Sequence, residues 1–393
     1  MYLLLVVVVV VVVVATAKQS SHCFCLVVFT FCESTGAFDT GADLQCFEIS
    51  RPDPGPNDVA IDIRYCGMCH SDCHACNGDW GLNAFPIAPG HEISGFVRAV
   101  GNKVNKFKVG DKVGIGCMVD SCGKCDLCKK GLENYCPQMT QTYGSPFPEG
   151  RGKNFKGAEG NHTNGGYTNA IVANEKFVFS IPDSMDMKYA GVLLCAGITT
   201  FSPLNRHIKQ KGGGKGKKVA IVGFGGLGQM AVKIAKAMNV DSVTILSRNE
   251  KKKADADRMG CEYLVHTNEE ELGKVTRTFD VVLDTVAAPH DIAKMTSILN
   301  VDGTWVLLGA IGQPFEISAL QLLFNRISIE GSLIGGVPET QEMLDFCAKH
   351  KIVPEYEVID ATKADAHFKA LMAGTAGADR KVIDISTLTA MFG

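Results

Sequence analysis

The chain reads as an α/β protein in two parts, a β-rich, barrel-like domain interrupted by a doubly wound parallel sheet. Three observations predict this. Between Leu44 and Ile181, short apolar or alternating runs are separated by Pro- and Gly-rich turns, the rhythm of an all-β unit. From Lys218 the pattern switches to a fully apolar strand, Lys218–Val222, a glycine turn, Gly223-Phe-Gly-Gly-Leu-Gly228, and an amphipathic helix over Gln229 to Met238. Inside the β-rich part, the stretch Cys122 to Cys136 carries four cysteines in a single compact loop.

Composition narrows the function classes. At 393 residues the chain is long enough for two cores. A formal charge of -3 and a pI near 6.4, with no long basic run, give no sign of a nucleic-acid partner. Sixteen cysteines is a high count, and many lie one to three residues apart, as metal ligands and reduced thiols do. The 42 glycines suit tight turns and close backbone approach to a cofactor. A small, soluble substrate is the expected partner.

Taken in order, residues 1–36 form an N-terminal extension expected to lie outside the fold. Leu3 to Val14 is an unbroken aliphatic run followed by Ala15-Thr16-Ala17, which resembles a signal-peptide core and cleavage site, although no Lys or Arg precedes it. A run of this length is short for a membrane-spanning helix. A cytoplasmic location follows if the segment is not native or not a signal; an organelle or the secretory path follows if it is.

Residues 37–190 are expected to form the first domain, with strands over Leu44 to Ile49, Val59 to Tyr65, Glu92 to Val100, Lys112 to Ile115, Gly166 to Val172 and Phe177 to Ile181. The loop Gly144 to Gly165 is expected to shape a substrate mouth and contains the glycosylation sequon Asn161-His-Thr163. A helical stretch through Ala190 to Phe201 leads into residues 191–330, where Ser242 to Leu246, Tyr263 to Val265, Phe279 to Leu283 and Thr304 to Leu308 continue the parallel sheet. Residues 331–393 are expected to rejoin the first domain.

Cys122, Cys125, Cys128 and Cys136 offer four thiolates that one loop can wrap around a tetrahedral ion. Zinc is favoured over disulfide pairs, because the chain is far too long to be a stapled miniprotein, and over an iron–sulfur cluster. Such a closed site is structural, since catalysis needs an open coordination position. A second site is suggested by Tyr65-Cys-Gly-Met-Cys-His-Ser-Asp72 and Pro89-Gly-His-Glu92. Cys69, His91 and a third soft ligand would leave room for water or substrate, whereas a lone His91 would read as a turn histidine.

Taken together with Leu194-Cys-Ala-Gly-Ile-Thr199, and in this order from about Ala37 onward, these motifs make the chain resemble the zinc-dependent medium-chain alcohol dehydrogenases, and more narrowly their cinnamyl alcohol dehydrogenase branch. The resemblance implies a GroES-like catalytic domain with a Rossmann domain set into it, two Zn2+ per chain, and a homodimer with an interface near Ser328 to Gly335. It implies Cys69, His91 and Cys195 as catalytic zinc ligands and Glu92 as the adjacent acidic group. Cys66 competes with Cys69 on spacing alone, and Cys195 by itself would read as a core thiol. The resemblance also makes Ser71, His74 and Asp79 a proton relay; an exposed loop pair is the plain alternative for the last two.

Gly223, Gly225 and Gly228, with Gly226 and Leu227 between them, are expected to serve the tight turn, the approach to pyrophosphate and helix packing. About twenty residues on, where an NAD-binding chain places an acid, this chain has Leu246-Ser-Arg-Asn-Glu-Lys-Lys-Lys253. Ser247, Arg248 and Lys252 would suit a 2′-phosphate, so NADP(H) is favoured. The expected reaction is alcohol–aldehyde interconversion by hydride transfer. Sugar-alcohol oxidation is the enzymatic alternative, and a redox sensor that uses the extra thiols Cys73 and Cys76 is the alternative from another class.

Overall fold

In the computed structural model, the described residues run from Phe31 to Met391, apart from residues 38, 40–42, 52, 80, 82–84 and 147–161. The aliphatic N-terminal run, Asn161 of the sequon and most of the Gly144 to Gly165 loop therefore lie outside the described residues. The extension expected over residues 1–36 is too long by six: Phe31–Gly36 is a strand that pairs antiparallel with Gln45–Ser50. Only Phe31 and Cys32 of this strand are apolar, and Glu33-Ser-Thr-Gly36 shows none of the alternation that marks a half-buried strand.

The first sheet has six strands in a row. In spatial order they are Tyr356–Asp360, Arg380–Asp384, Asp58–Gly67, Glu92–Val100, Lys112–Ile115 and Phe179–Ser180, with Ala170–Asn174 also pairing Asp58–Gly67. The C-terminal strand Arg380–Asp384 lies antiparallel to Asp58–Gly67, so the chain does return to its first sheet. It returns at Tyr356 rather than at residue 331. Between these points Ser328–Gly331 closes the second sheet and the helix Val337–His350 packs against the helical rod described below.

The second sheet is parallel throughout, in the order Glu262–Val265, Ser242–Ser247, Lys218–Val222, Phe279–Asp284, Leu299–Leu307 and Ser328–Gly331. Val219, Ala220, Ile221 and Val222 are all buried because helices cover both faces, which is why this strand is apolar without alternation. The following helix spans Gly226–Ala237 and so starts three residues before the expected Gln229, with Gly225 as its N-cap.

A helical rod from Met187 to Lys209 joins the two halves. Its start, Met187–Val192, lies on the strands Asp58–Gly67 and Glu92–Val100, and its continuation, Ile198–Leu204, lies on Gly226–Ala237. Gly191 makes the first contact possible, since a Cβ there would stand 2.2 Å from the Glu92 carbonyl oxygen. Between the two ends, Leu193–Gly197 widens into a π-helical turn. Such turns are rare and are often found at functional sites.

Candidate active site

Cys195 sits in that π turn, and the turn delivers its sulfur to the starts of two elements of the first half. Cys69 precedes the short helix His70–Cys76, and His91 immediately precedes the strand Glu92–Val100. Sγ of Cys69 and Cys195, a ring nitrogen of His91 and a carboxylate oxygen of Glu92 lie within 4.8 Å of one another, and all but Cys195 are buried by residue. His91 Nε2 is 3.1 Å from Cys195 Sγ. Cys66 is not in the group. Its sulfur faces the Gly67 carbonyl at 3.6 Å, and burial raises its pKa well above the ordinary thiol value. Geometry thus separates two cysteines that spacing could not.

Asp72 organises the cluster. Its fully buried carboxylate accepts from the backbone N–H of Cys69 (2.8 Å) and Gly90 (3.1 Å) and from the Tyr167 hydroxyl (3.0 Å), and it lies 3.1 Å from His91 Nδ1. That bond turns Nε2 of His91 toward the sulfurs, the usual way an outer carboxylate fixes a ligating imidazole. Arg380, from the last strand of the first sheet, donates through Nη1 to the Met68 carbonyl (2.9 Å) and pairs through Nη2 with Glu92 (3.3 Å). Sequence reasoning gave neither residue a role. Asp72 had a local signal, standing three positions after Cys69 as in a capping box. Arg380 had none, being brought in only by strand pairing.

These residues fit a zinc ion. Two soft sulfurs, one oriented imidazole nitrogen and a carboxylate are its usual donors. The oxygens of Glu92 have no hydrogen-bond partner among the described residues beyond the Arg380 ion pair, an arrangement costly to bury unless something else satisfies them. Burial pushes the Glu92 carboxyl up to about 8, against the opposing pull of Arg380.

Beside the cluster, Cys69 Sγ is 3.7 Å from Ser71 Oγ, and His74 Nδ1 is 2.8 Å from Asp79 Oδ2. Ser71 and His74 both face a cleft of about 500 Å³ that also reaches His91, Cys195, Gly225 and Leu227. The cleft is therefore shared by the two halves. In the glycine turn, Gly223 takes φ +88°, and a Cβ on Gly228 would lie 2.3 Å from the Gly223 carbonyl oxygen, so turn and helix need bare backbone at both. A Cβ on Gly225 would meet nothing within 4 Å, which leaves its face open to a ligand. Ser247 ends the neighbouring strand and Arg248 is exposed next to it, while Lys252 reaches back to donate to the Phe224 carbonyl at 2.8 Å.

The four cysteines of the lobe also converge. Sulfur separations of 3.9 Å (Cys122 to Cys128), 3.5 Å (Cys125 to Cys128) and 3.8 Å (Cys125 to Cys136) are too long for disulfides. They surround the ~3.8 Å edge expected of a tetrahedron with bonds of about 2.3 Å. Backbone N–H groups of Cys125, Cys128 and Gln138 point at three of the sulfurs, as thiolates require.

Cys73 and Cys76, by contrast, are buried and belong to neither donor group. Cys73 Sγ faces the Phe368 carbonyl, and burial pushes Cys76 up to about 12. Both are poor thiolates at neutral pH, which removes the basis for a redox sensor.

Comparison with known proteins matches this arrangement on both sides of the cleft. Residues 55–183 match the alcohol dehydrogenase GroES-like domain and residues 226–349 match the zinc-binding dehydrogenase domain. The chain is 46% identical over 343 residues to NADP-dependent alcohol dehydrogenase C 1 of Mycolicibacterium smegmatis, covering 86% of this chain and 94% of that one. It is 44% identical over 360 residues to the aldehyde reductase YahK of Escherichia coli, covering 91% and 99%. A solved cinnamyl alcohol dehydrogenase from Sorghum bicolor superimposes with a TM-score of 0.83 at 34% identity, over 91% of this chain and 98% of that one. Similarity this extensive, spanning both halves and the cleft between them, means that the chain belongs to the zinc-binding alcohol dehydrogenases, on their cinnamyl alcohol dehydrogenase-like side.

Proposed function

We infer that this protein interconverts primary alcohols and aldehydes by hydride transfer with NADP(H), and that Cys69, His91 and Cys195 are the ligands of its catalytic zinc. The observation that carries the reading is the convergence of these three donors, with Glu92 among them, at a cleft that Gly225 and Gly226 of the glycine turn also line. A zinc ion held there supplies Lewis-acid polarisation of the substrate oxygen. The remaining work falls to the chain. Ser71 Oγ stands beside Cys69, where it can exchange a proton with a substrate oxygen. Asp79 holds His74 by Nδ1, which places the basic nitrogen at Nε2 and lets the imidazole pass that proton toward solvent. Asp72 and Arg380 keep the ligands in place. The glycine turn accepts the pyrophosphate at the start of Gly226–Ala237, where helix N–H groups favour an anion. Ser247 and Arg248 hold the 2′-phosphate, with Lys252 bracing the turn through Phe224.

Met68, Met139, Leu308 and Leu333 give the cleft apolar walls, which suit aromatic or aliphatic aldehydes better than polyols. The protein is a homodimer. Ser328–Gly331 is the last strand of its sheet among the described residues, and the adjacent helix Ala319–Asn325 exposes Leu320, Leu323 and Phe324, the last at 78%. The test is oxidation of NADPH and, separately, NADH with cinnamaldehyde, alongside metal content and mass in solution. Turnover favouring NADPH, about two zinc ions per chain and a dimeric mass are expected. Metal-loaded protein that turns over no aldehyde or alcohol would end the reading.

A further inference from the structure

The four-cysteine lobe touches more than its own ligands. Just before Cys136, three consecutive residues reach the segment that leaves the second sheet after Ser328–Gly331. Asn134 Nδ2 donates to the Leu333 carbonyl at 2.6 Å, the Leu333 N–H donates to the Tyr135 hydroxyl at 3.1 Å, and the Val337 N–H donates to Glu133 Oε2 at 2.9 Å. Glu133 is buried and tied by its other oxygen to Lys176 of the first domain, 2.8 Å away. The backbones meet directly as well: a Cβ on Gly336 would stand 1.6 Å from the Gly131 carbonyl oxygen, so no side chain can separate them.

At its other end the segment is anchored in the nucleotide-binding half, where Ser332 N–H donates to the Leu307 carbonyl at 3.1 Å. Between these two anchors, Ser332, Leu333 and Ile334 face the cleft. The chain that leaves the lobe after Cys136 lines the cleft too, through Met139 and Gln141 to Tyr143.

We propose that Glu133, Asn134 and Tyr135 are positioning residues, a clamp by which the lobe fixes the Ser332–Ile334 wall of the substrate cleft and so sets how tightly the substrate is held. This rests on the cleft being the aldehyde site. A lobe that only stabilised the first domain would have no need to satisfy the backbone of a segment from the other half; this one satisfies both polar groups of Leu333 and the first N–H of the helix Val337–His350.

The test is Asn134→Ala/Tyr135→Phe, compared with wild type as the metal-loaded protein. Two readouts are needed, amide hydrogen exchange and steady-state kinetics. Exchange over residues 332–337 should accelerate about tenfold, with the strands Asp58–Gly67 and Lys218–Val222 unchanged, and KM for the aldehyde should rise about tenfold, the scale of one or two neutral hydrogen bonds. kcat, NADPH affinity and metal content should stay within about twofold, because none of their contacts is altered. Unchanged exchange over 332–337 overturns the clamp, and so does faster exchange with an unaltered aldehyde KM. Should the double variant not fold, Tyr135→Phe on its half-exposed side chain gives a smaller effect in the same direction. Exchange is read without turnover, so an inactive wild type would end the functional reading while exchange alone still decided the clamp.

Discussion

The two metal-ligand clusters of this protein are built on opposite plans. In the lobe, all four sulfurs come from Cys122 to Cys136, and the N–H groups that orient them belong to the same loop. In the cleft, the donors come from a loop before a helix, the residue ahead of a strand and a π turn in a distant rod, and their orientation depends on Asp72 of that helix and on Tyr167 and Arg380 from still other elements. A chelate made by one loop can close on its ion from all sides. One assembled from three elements can hold a donor set open toward a cleft, but its geometry is only as good as the tertiary structure behind it.

Cysteine substitutions should break this contrast most visibly. Cys69→Ser should lose one metal ion, keep the lobe's ion and melt near the wild-type temperature, while kcat/KM falls by at least about a thousandfold, since metal polarisation is worth several kcal/mol. Cys136→Ser should do the reverse, losing the lobe's ion and melting lower by about 10 °C, because structural metal binding contributes folding energy. Its surviving activity should show a raised aldehyde KM through the clamp at Leu333. Metal analysis and melting curves of both variants decide the matter; if each loses both ions, the clusters are not independent.

A milder break leaves every ligand in place. Asp72→Asn keeps the shape but turns an N–H group toward some of the four donors that now converge on the carboxylate. Affinity of the cleft for zinc should fall about 10- to 100-fold with the lobe unaffected. Tyr167→Phe, which removes only one of those donors, should follow in the same direction by less. Competition with a chelator measures both, and equal zinc release from wild type and Asp72→Asn would show that His91 needs no outer carboxylate.

The same contrast explains what could be read from the sequence. The lobe was fully legible because its chemistry is local, and so was the strand, turn and helix from Lys218 to Ala237, where apolar run, glycines and amphipathic period coincide. The cleft's converging donors were legible only in combination. Spacing could not choose between Cys66 and Cys69, and nothing around Cys195 announces a π turn. Arg380 was invisible because it reaches Glu92 through the pairing of Arg380–Asp384 with Asp58–Gly67, a contact between the two ends of the chain. Phe31–Gly36 was missed for a related reason, since among the described residues it is a strand through its pairing with Gln45–Ser50 and not through any pattern of its own. The four-residue strand Ser328–Gly331 and the clamp beyond it likewise depend on tertiary approach.

The last effect concerns the carboxylate in the cleft's donor set, where the lobe's set is sulfur alone. In the metal-free protein, burial raises Glu92 from 4.5 to about 8, partly offset by Arg380. A carboxyl raised on folding binds its proton more tightly in the native state, so its contribution is fully present below the unfolded value and is lost as pH rises through the folded one. Stability of the metal-free protein should therefore decline between about pH 4.5 and pH 8, with this one group contributing at most ~1.4 kcal/mol per pH unit. In Glu92→Gln that contribution disappears. Denaturant unfolding of both chelated proteins at several pH values isolates it, because all other titrating groups are common to the pair. The difference between them should grow in favour of the variant toward pH 8. A difference that stays constant would mean that Arg380 alone keeps Glu92 ionised, and that the carboxylate needs no metal to be tolerated in the core.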